Sequence, residues 1–335
     1  MKKYSFYVGI DVSKLKLDVS LVKAQGGEFV THFTVNNTSK GIQQMFTRLQ
    51  KHHGDIASML ISYEDTGVYS LPLSCHLSEQ AQDYWMIPAI EIKRSKGLTR
   101  GKTDKSDSKD IAFYALTHQH KLKLSSIPTK GLLRLKLLQT EREKVMKAIR
   151  LLSSTQEGEG YIPKDVMSAV AKINNSTIKQ LEKVVTKLDK EMTALVKSNE
   201  LLQKQFELIT SIPGVGPQTA YYIITTTKSF STFDNARQLA CYAGVAPFEY
   251  RSGTSIKGRT KVSHLADKKL KSLLNLCALN AKKHDKQLAH YYEKKLAEGK
   301  SKMLVINNIR AKLLTRIFAV INRGSPYVNT FQFAA

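Results

Sequence analysis

Apolar and polar positions in the first 35 residues predict three β-strands separated by turns. YSFYVGI is a short run of β-forming residues, LKLDVSLV alternates from Leu15 to Val22, and EFVTHFTV follows a Gly-Gly turn. Further elements are predicted in chain order: a helix over 37–50, a strand over 58–63, a helix over 70–82 and a strand over 84–87. Three early strands followed by alternation indicate an α/β ribonuclease-H-like fold for the N-terminal domain, whereas a doubly wound sheet would alternate earlier.

The stretch 92–109 interrupts this pattern. IKRSKGLTRGKTDKSDSK holds seven Lys or Arg and two acids, with almost nothing apolar. We predict a mobile loop here that leads into a helix near Asp107, with IAFYAL as its first apolar face.

The segment 130–209 has helical patterning, interrupted at 155–163. From Ile178 a heptad pattern begins, with one position occupied by Leu181, Leu188, Leu195 and Leu202, and the other by Ile178, Val185, Met192, Asn199 and Phe206. Four heptads with one Asn predict a coiled coil that joins two protomers and whose Asn fixes the register. The alternative is a helical hairpin within one chain that buries the same stripe.

Residues 210–323 predict a second globular unit that is mainly helical and ends in a periodic helix through Ile306 and Val320. The domain boundaries that follow are 1–125 for the α/β domain, 126–208 for the helical coiled-coil middle, 209–327 for the C-terminal domain and 328–335 for the tail. A length of 335 residues suits two or three domains.

The charge of the chain narrows the class of partner. Lys and Arg number 52 against 28 Asp and Glu, giving a net charge of +24 and a pI near 9.8. Such a balance favours a polyanion, nucleic acid ahead of membrane. Apolar runs are too short for a membrane span or a secretion signal. The three cysteines lack C-x-x-C spacing, so we expect reduced thiols in a cytoplasmic protein.

Four acids have spacing that suits a metal site. Asp11 ends the first strand, Glu64 ends the strand MLISYE, and Asp104 and Asp107 are three residues apart. Carboxylates brought together from adjacent strand ends repel one another until a cation is bound. Mg²⁺ takes such oxygen ligands, and two such ions clamp the oxygens of a phosphodiester. The alternative is that these acids only cap turns and a helix.

Two further segments suit contact with a phosphate. ITSIPGVGPQTAYYIIT is typical of a helix-hairpin-helix, in which Gly214 and Gly216 let backbone N–H groups approach a phosphate. The alternative is an ordinary connection between helices. In EYRSGTSIKGRTK a small nucleophile stands among cations, and composition does not choose between Ser252, Thr254 and Ser255. A turn is the other reading of Ser-Gly.

Taken in order, GIDVSK, EDTGVY, GKTDKSD, IPGVGPQTA and GVAPFEYRSG…KGR resemble the insertion-sequence family often called IS-one-ten, the DEDD transposases related to Piv-type DNA invertases. The resemblance runs from about Tyr4 to Tyr327. It implies a RuvC-like N-terminal domain and a C-terminal transposase domain. Ser108 stands where the family has a small apolar residue, and Asp110 adds another acid nearby.

The resemblance also implies residue roles. Asp11, Glu64, Asp104 and Asp107 would bind Mg²⁺, with Mn²⁺ as a substitute, and Ser252 would be the nucleophile that forms a phosphoserine link to DNA. The two parts would meet in a composite site, often between protomers. Expected partners are donor and target DNA, a noncoding bridge RNA, and further copies in a homodimer or homotetramer. No membrane partner is expected.

Basic residues and the two glycines are expected to hold phosphates of DNA or RNA. The expected contacts are Lys93, Arg94, Arg100, Lys102, Lys105, Gly214, Gly216, Arg251, Lys257, Arg259 and Lys261. The leading hypothesis is thus an RNA-guided DNA transposase with a serine nucleophile. Its rivals are a RuvC-like nuclease that uses water, an actin-like kinase or ATPase, and a DNA-binding protein without catalysis.

Overall fold

The computed structural model describes residues 3–95, 103–154, 161, 163–252 and 256–329. The chain divides into two compact units, 1–127 and 128–335, and each is described by itself. No helix in the described ranges is long and apolar enough to cross a bilayer.

The first unit is a five-stranded mixed sheet with helices on both faces. Its elements in chain order are β1 (Phe6–Val12), β2 (Lys16–Lys23), β3 (Phe29–Asn36), α1 (Ser39–His53), β4 (Met59–Glu64), α2 (Leu71–Glu79), β5 (Tyr84–Ile87), α3 (Ala89–Ser95) and α4 (Asp104–Thr117). The strand order is β3-β2-β1-β4-β5; β1 pairs antiparallel with β2 and parallel with β4. This order confirms the ribonuclease-H-like fold.

Alternation along the strands gives the sheet two apolar faces. One face carries Val8 and Ile10 of β1 and packs against Ile42 and Met45 of α1 and Leu73 of α2. The other face is covered by α4 and α3. Their apolar residues pack with the alternate strand residues, whose side chains point away from α1 and α2. The members of this second cluster are Tyr4, Tyr7, Leu60, Trp85, Ile87, Ile92, Ile111, Tyr114 and Ala115.

A row of small residues lets α4 lie close to the sheet. Gly9 pairs with Ser20 on β2 and Ser62 on β4, so the row crosses three strands. A Cβ on Gly9 would stand 2.1 Å from the Ser108 carbonyl oxygen and 2.4 Å from the Ala112 nitrogen. The Ser20 and Ser108 hydroxyls are 2.8 Å apart in a buried hydrogen bond. The small side chains thus set how near α4 comes to β1.

The basic stretch 92–109 is more helical than predicted. α3 runs to Ser95, and α4 begins at Asp104 rather than near Asp107. The reason is a capping box: the Thr103 hydroxyl accepts from the Ser106 N–H at 3.1 Å, and the Thr103 N–H donates to the Ser106 hydroxyl. The prediction of a loop over the whole stretch was therefore wrong for these ends, while 96–102 lie outside the described residues.

The second unit is mainly helical, with one β-hairpin. Its elements are α5 (Lys130–Ser154), α6 (Lys164–Lys197), α7 (Glu200–Thr210), α8 (Pro217–Thr226), α9 (Ala236–Tyr242), β6 (Pro247–Ser252), β7 (Ile256–Val262), α10 (Lys268–His284), α11 (Lys286–Ala297) and α12 (Lys302–Arg323). Its core joins α5, α6, α8, α10 and α12. The final periodic helix is confirmed by α12, which buries Ile306 through Val320 on one face.

The heptad pattern does not run along one helix. α6 ends at Lys197, and Asn199 caps α7 by accepting from the Leu202 N–H. Met192 on the stripe instead packs in the core of this unit with Leu132 and Leu135 of α5. A continuous seam from Ile178 to Phe206 was therefore wrong at Asn199, because a short polar side chain ends one helix and starts the next. Pairing between protomers stays a prediction.

We predict that Gly9→Ala destabilises the first unit by about 3 kcal/mol, because the added methyl meets backbone atoms of α4 that cannot move aside. Urea unfolding followed by the fluorescence of Trp85, the single tryptophan, reports this unit alone. Glu28→Gln, at an exposed position of the same unit, is the control. Equal midpoints for both variants would contradict the close approach.

Candidate active site

Three carboxylates lie in one row across the sheet. Asp11 of β1 pairs with Asp18 of β2, and Glu64 of β4 follows the Ile10–Tyr63 pair on the other side of β1. Because side chains alternate along a strand, Asp11 shares the face of Gly9, which is the face beneath α4. The row therefore lies two residues along each strand from the small residues that let α4 approach the sheet.

The first turn of α4 brings two more acids to this row. Asp104 and Asp107 occupy that turn, where the helix dipole favours negative charge. Burial and then repulsion from Asp107, Asp104, Asp18 and Glu64 raise the pKa of Asp11 above its usual value. The other three predicted acids therefore lie near enough for their charges to act on Asp11, together with Asp18, which the prediction did not include. Binding of a metal by these acids stays a prediction.

A lysine supplies positive charge at the edge of the row. The Lys16 Nζ lies 2.6 Å from Asp104 Oδ2 and 3.2 Å from Asp18 Oδ2. In the described part of the chain, no three His, Cys, Asp or Glu side chains converge closely enough to hold a metal ion. By donor chemistry the set still fits Mg²⁺, a hard cation that takes carboxylate oxygens, and the ammonium stands where a cation is favoured.

Sequence reasoning missed Asp18 and Lys16. Asp18 is 4% exposed and accepts from the Thr34 hydroxyl at 2.9 Å, with the His32 Nε2 at 3.4 Å. The sequence did contain a signal for Asp18: the first two predicted strands are joined by a short turn, and a hairpin of that length pairs Asp11 with Asp18. Asp110, noted as a neighbour of the predicted pair, is half-buried further along α4.

In the second unit, Ser252 is the last residue of β6. Its backbone pairs with Ile256 across the hairpin, and Arg251 pairs with Lys257. The polar loop predicted around Ser252 is thus the tip of a β-hairpin, of which residues 253–255 lie outside the described residues. The side chains of Ser252, Arg251, Lys257, Arg259 and Lys261 also lie outside the described part.

The hairpin is anchored at both ends to the helical core. Before β6, the Val245 carbonyl accepts from the Asn307 amide of α12 at 2.8 Å. After β7, the Asp267 N–H donates to the Tyr242 carbonyl, and the Asp267 carboxylate caps α10. These bonds fix the two strands that lead to and from the Ser252 tip.

The two tyrosines of α8 pack in or against the hydrophobic core of the second unit. Tyr221 is 2% exposed and stacks on Phe206, with its hydroxyl 3.2 Å from Thr193. The Tyr222 hydroxyl donates to Asp267 at 2.9 Å. Burial, and next the bond to this carboxylate, raise the pKa of Tyr222 far above its ordinary value. A phenol that resists deprotonation is a poor nucleophile, so Tyr222 is disfavoured as an alternative to the serine.

The glycine-rich turn joins α7 to α8 and is packed against α10. Gly214 has φ +88°, and a Cβ there would stand 2.5 Å from the Ala281 nitrogen. Gly216 precedes α8 in extended conformation, and no atom lies within 4 Å of a Cβ built on it. Gly214 thus has a packing reason to be glycine, while Gly216 does not. Contact of this turn with phosphate stays a prediction.

Five of the predicted basic contacts belong to the first unit, and the structure describes three of them. Lys93 and Arg94 are exposed in the last turn of α3, and Lys105 is exposed in the first turn of α4. The Lys105 Nζ lies 5.8 Å from the centre of the Phe29 ring. Arg100 and Lys102 lie outside the described residues. Binding of nucleic acid by these side chains stays a prediction.

Two family profiles match the chain. One, described as transposase and named for the DEDD transposases of IS110, matches residues 8–154, and the other, the transposase IS116/IS110/IS902 family, matches 206–293. The first covers the whole carboxylate row, and the second covers the glycine turn and the Ser252 hairpin. The chain carries both transposase domains of the IS110/IS116 family. Members are enzymes that cleave and join DNA strands.

Two relatives align with almost the whole of this transposase. The pilin gene-inverting proteins of Moraxella bovis and Moraxella lacunata are 25% and 26% identical, each aligned over 96% of this chain and 97% of the relative. An uncharacterized 43.6 kDa protein of insertion element IS110 from Streptomyces coelicolor is 32% identical over 36% of this chain and 29% of its own. RuvC of T. thermophilus in complex with a Holliday junction aligns over 37% of this chain and all of its own, with 9% identity and a TM-score of 0.28.

We predict that Asp11→Asn stabilises the first unit in EDTA by about 0.5–1 kcal/mol, because it removes one of several charges that repel one another. The pKa of Asp11 is higher in the folded than in the unfolded protein. The wild type therefore loses stability as the pH rises from the unfolded pKa through the folded pKa, and the variant lacks this loss. Urea midpoints from Trp85 fluorescence measure both effects. Glu28→Gln, on an exposed acid, is the control; a midpoint lower than that of the wild type would contradict the repulsion.

The two glycines of the turn separate packing from phosphate contact. We predict that Gly216→Ala weakens DNA binding several-fold with an unchanged melting temperature, because its methyl would stand between backbone and phosphate. Gly214→Ala should instead lower the melting temperature, since its methyl meets α10. Fluorescence anisotropy with labelled duplex measures the first effect. Unchanged affinity in Gly216→Ala would exclude the turn as a phosphate contact.

Proposed function

We propose that this transposase is a Mg²⁺-dependent recombinase that excises and inserts its own insertion sequence, with Ser252 as nucleophile. The observation that carries the proposal is the row Asp18–Asp11–Glu64 facing Asp104 and Asp107 beneath α4. The chain has a net charge of +24, yet several carboxylates lie near one another here. Their mutual repulsion destabilises the fold unless a cation binds among them.

Asp11, Glu64, Asp104 and Asp107 would hold the metal. Mg²⁺, or Mn²⁺ in its place, supplies a Lewis acid that draws electron density from a phosphodiester oxygen. Asp18, buried and bonded to Thr34, holds negative charge next to Asp11 from the neighbouring strand. Asp104 and Asp107 lie in the first turn of α4, the end of a helix at which negative charge is favoured.

Ser252 would carry the covalent step. Its hydroxyl oxygen bonds to phosphorus, the bond from phosphorus to one strand oxygen breaks, and the serine proton is passed on to protonate that leaving oxygen. A hydroxyl from another strand reverses the exchange and frees the serine. One phosphoester replaces another at each step, so no external energy source is needed. The anchoring of both ends of the hairpin supports a fixed position for this tip.

The choice of DNA site is proposed to lie with a noncoding bridge RNA, as the resemblance implies. Base pairing would then read sequence, and the protein would hold backbones through charge. The exposed Lys93, Arg94 and Lys105, with the basic residues of the second unit, support such contact. The Moraxella relatives are named for inverting a pilin gene, and a DNA rearrangement of that kind supports a recombinase here.

Association of protomers is proposed to use the helices α5 and α6. Leu151 of α5 and Ile173 of α6 are 73% and 66% exposed. Large apolar side chains at this exposure suit contact with a second copy. A homodimer or homotetramer would result.

A covalent adduct tests the proposal. We predict that purified protein with Mg²⁺, the flanking noncoding RNA and labelled junction DNA gives label that migrates with protein on a denaturing gel. Ser252→Ala should give no adduct, because the oxygen that bonds to phosphorus is gone. Asp11→Ala should lower the yield of adduct at least a hundredfold, because a ligand of the metal is lost. Ser255→Ala and Thr254→Ala are matched controls that keep it.

The rival nuclease gives a different result. If water attacks, cleavage leaves free 5′-phosphate ends, no label migrates with protein, and Ser252→Ala keeps full activity. That outcome would replace the recombinase with a RuvC-like nuclease. Unchanged adduct in Asp11→Ala would remove the acidic row from the reaction.

A further inference from the structure

The Lys16 ammonium forms the closest ion pair at the carboxylate row. Its Nζ is 2.6 Å from Asp104 Oδ2, which belongs to α4, and 3.2 Å from Asp18 Oδ2, which belongs to β2. One amine thus joins a carboxylate of the row to a carboxylate of the helix that covers it. The Lys16 side chain is 43% exposed, so the pair is open to exchange with ions in solution.

The hairpin between β1 and β2 fixes the backbone of this lysine. The Lys16 carbonyl accepts from both the N–H and the hydroxyl of Ser13, at 3.0 and 2.8 Å. The Lys16 N–H donates back to the Ser13 hydroxyl at 3.2 Å. These three bonds start β2 at Lys16 and direct the residue toward the same row as Asp18, two positions on. Lys14, in the same turn, is exposed.

The two carboxylates that Lys16 contacts differ in exposure. Asp18 is buried and also accepts from Thr34, so it remains fixed without the lysine. Asp104 has a side chain that is 51% exposed, at the very start of α4. Of the two, Asp104 is the carboxylate that a cation from solution reaches directly.

We propose that Lys16 is a built-in cation that competes with the divalent metal for Asp104. In metal-free protein the ammonium holds Asp104 against Asp18 and offsets repulsion in the row. When a divalent cation binds, Asp104 exchanges the ammonium for it, and Lys16 moves into solvent. Lys16 is thus a positioning residue that sets how much metal is needed to load the site. This inference rests on the proposed function, because it takes the row to be the metal site.

Amine labelling of the wild type tests the exchange directly. The full-length protein is treated briefly with an N-hydroxysuccinimide ester, in EDTA or in Mg²⁺, and modification of each lysine is measured by mass spectrometry. We expect the labelling rate of Lys16 to rise at least threefold with Mg²⁺ and that of Lys14 to stay the same. Asp11→Asn should remove the rise.

Affinity for Mg²⁺ gives a second readout. Titration calorimetry should show that Lys16→Met lowers the half-saturating Mg²⁺ concentration roughly threefold to tenfold, since no ammonium must be displaced. Lys14→Met, which removes the same charge from the same turn, should stay within about twofold of the wild type. Trp85 fluorescence confirms that each variant is folded.

The outcomes separate this inference from the function on which it rests. If the wild type takes up neither Mg²⁺ nor Mn²⁺, the metal site fails, and the role of Lys16 fails with it. If the wild type binds metal and Asp11→Asn does not, yet Lys16 labelling and the Lys16→Met midpoint are unchanged, only the role of Lys16 is overturned.

Discussion

The close packing of α4 on β1 is the constraint on which the candidate site depends. Gly9 leaves room for the Ser108 carbonyl and the Ala112 nitrogen, and Ser20 bonds Ser108 across the buried contact. The carboxylate row lies two residue pairs further along the same strands, and Asp104 and Asp107 lie in the first turn of α4, just before Ser108. A bulkier residue at Gly9 would move the helix acids away from the strand acids. The geometry of the site is thus set by residues that carry no charge.

Charge is distributed in opposite ways at the row and over the chain. The chain as a whole carries +24, which suits contact with the phosphates of nucleic acid. The row and the first turn of α4 together hold five carboxylates, and burial raises the pKa of Asp11 further than repulsion alone would. Lys16 offsets part of this repulsion. A cation bound at the row, as proposed, would let lysines and arginines hold a phosphodiester while the cation contacts its oxygens.

Much of the fold could be predicted, because alternation and helical periodicity are local. The strands and helices of the first unit follow the predicted order, and α12 follows its apolar stripe. The start of α4 was placed too late, because the box between Thr103 and Ser106 lies in a polar stretch that composition describes as loop. The heptad stripe failed at Asn199, where the identity of one side chain, rather than the period, decides that a helix ends.

The candidate site was predicted less completely. Strand ends and spacing pointed to Asp11, Glu64, Asp104 and Asp107, and their convergence depends on a sheet order that single strands do not reveal. Asp18 and Lys16 required the pairing register of the hairpin. The Gly214 position looked like a phosphate contact, although packing against Ala281 already requires a glycine there.

We expect the row beneath α4 to bind a divalent cation, and affinity cleavage shows which residues lie beside that cation. Fe²⁺ is added in place of Mg²⁺ with ascorbate and peroxide, and the backbone cuts made by locally formed radicals are mapped by mass spectrometry. We expect cuts near Asp11, Asp18, Glu64 and the start of α4, and these cuts should be suppressed by excess Mg²⁺ and absent in Asp11→Asn. Cuts elsewhere, or cuts at these positions that persist in Asp11→Asn, would contradict it.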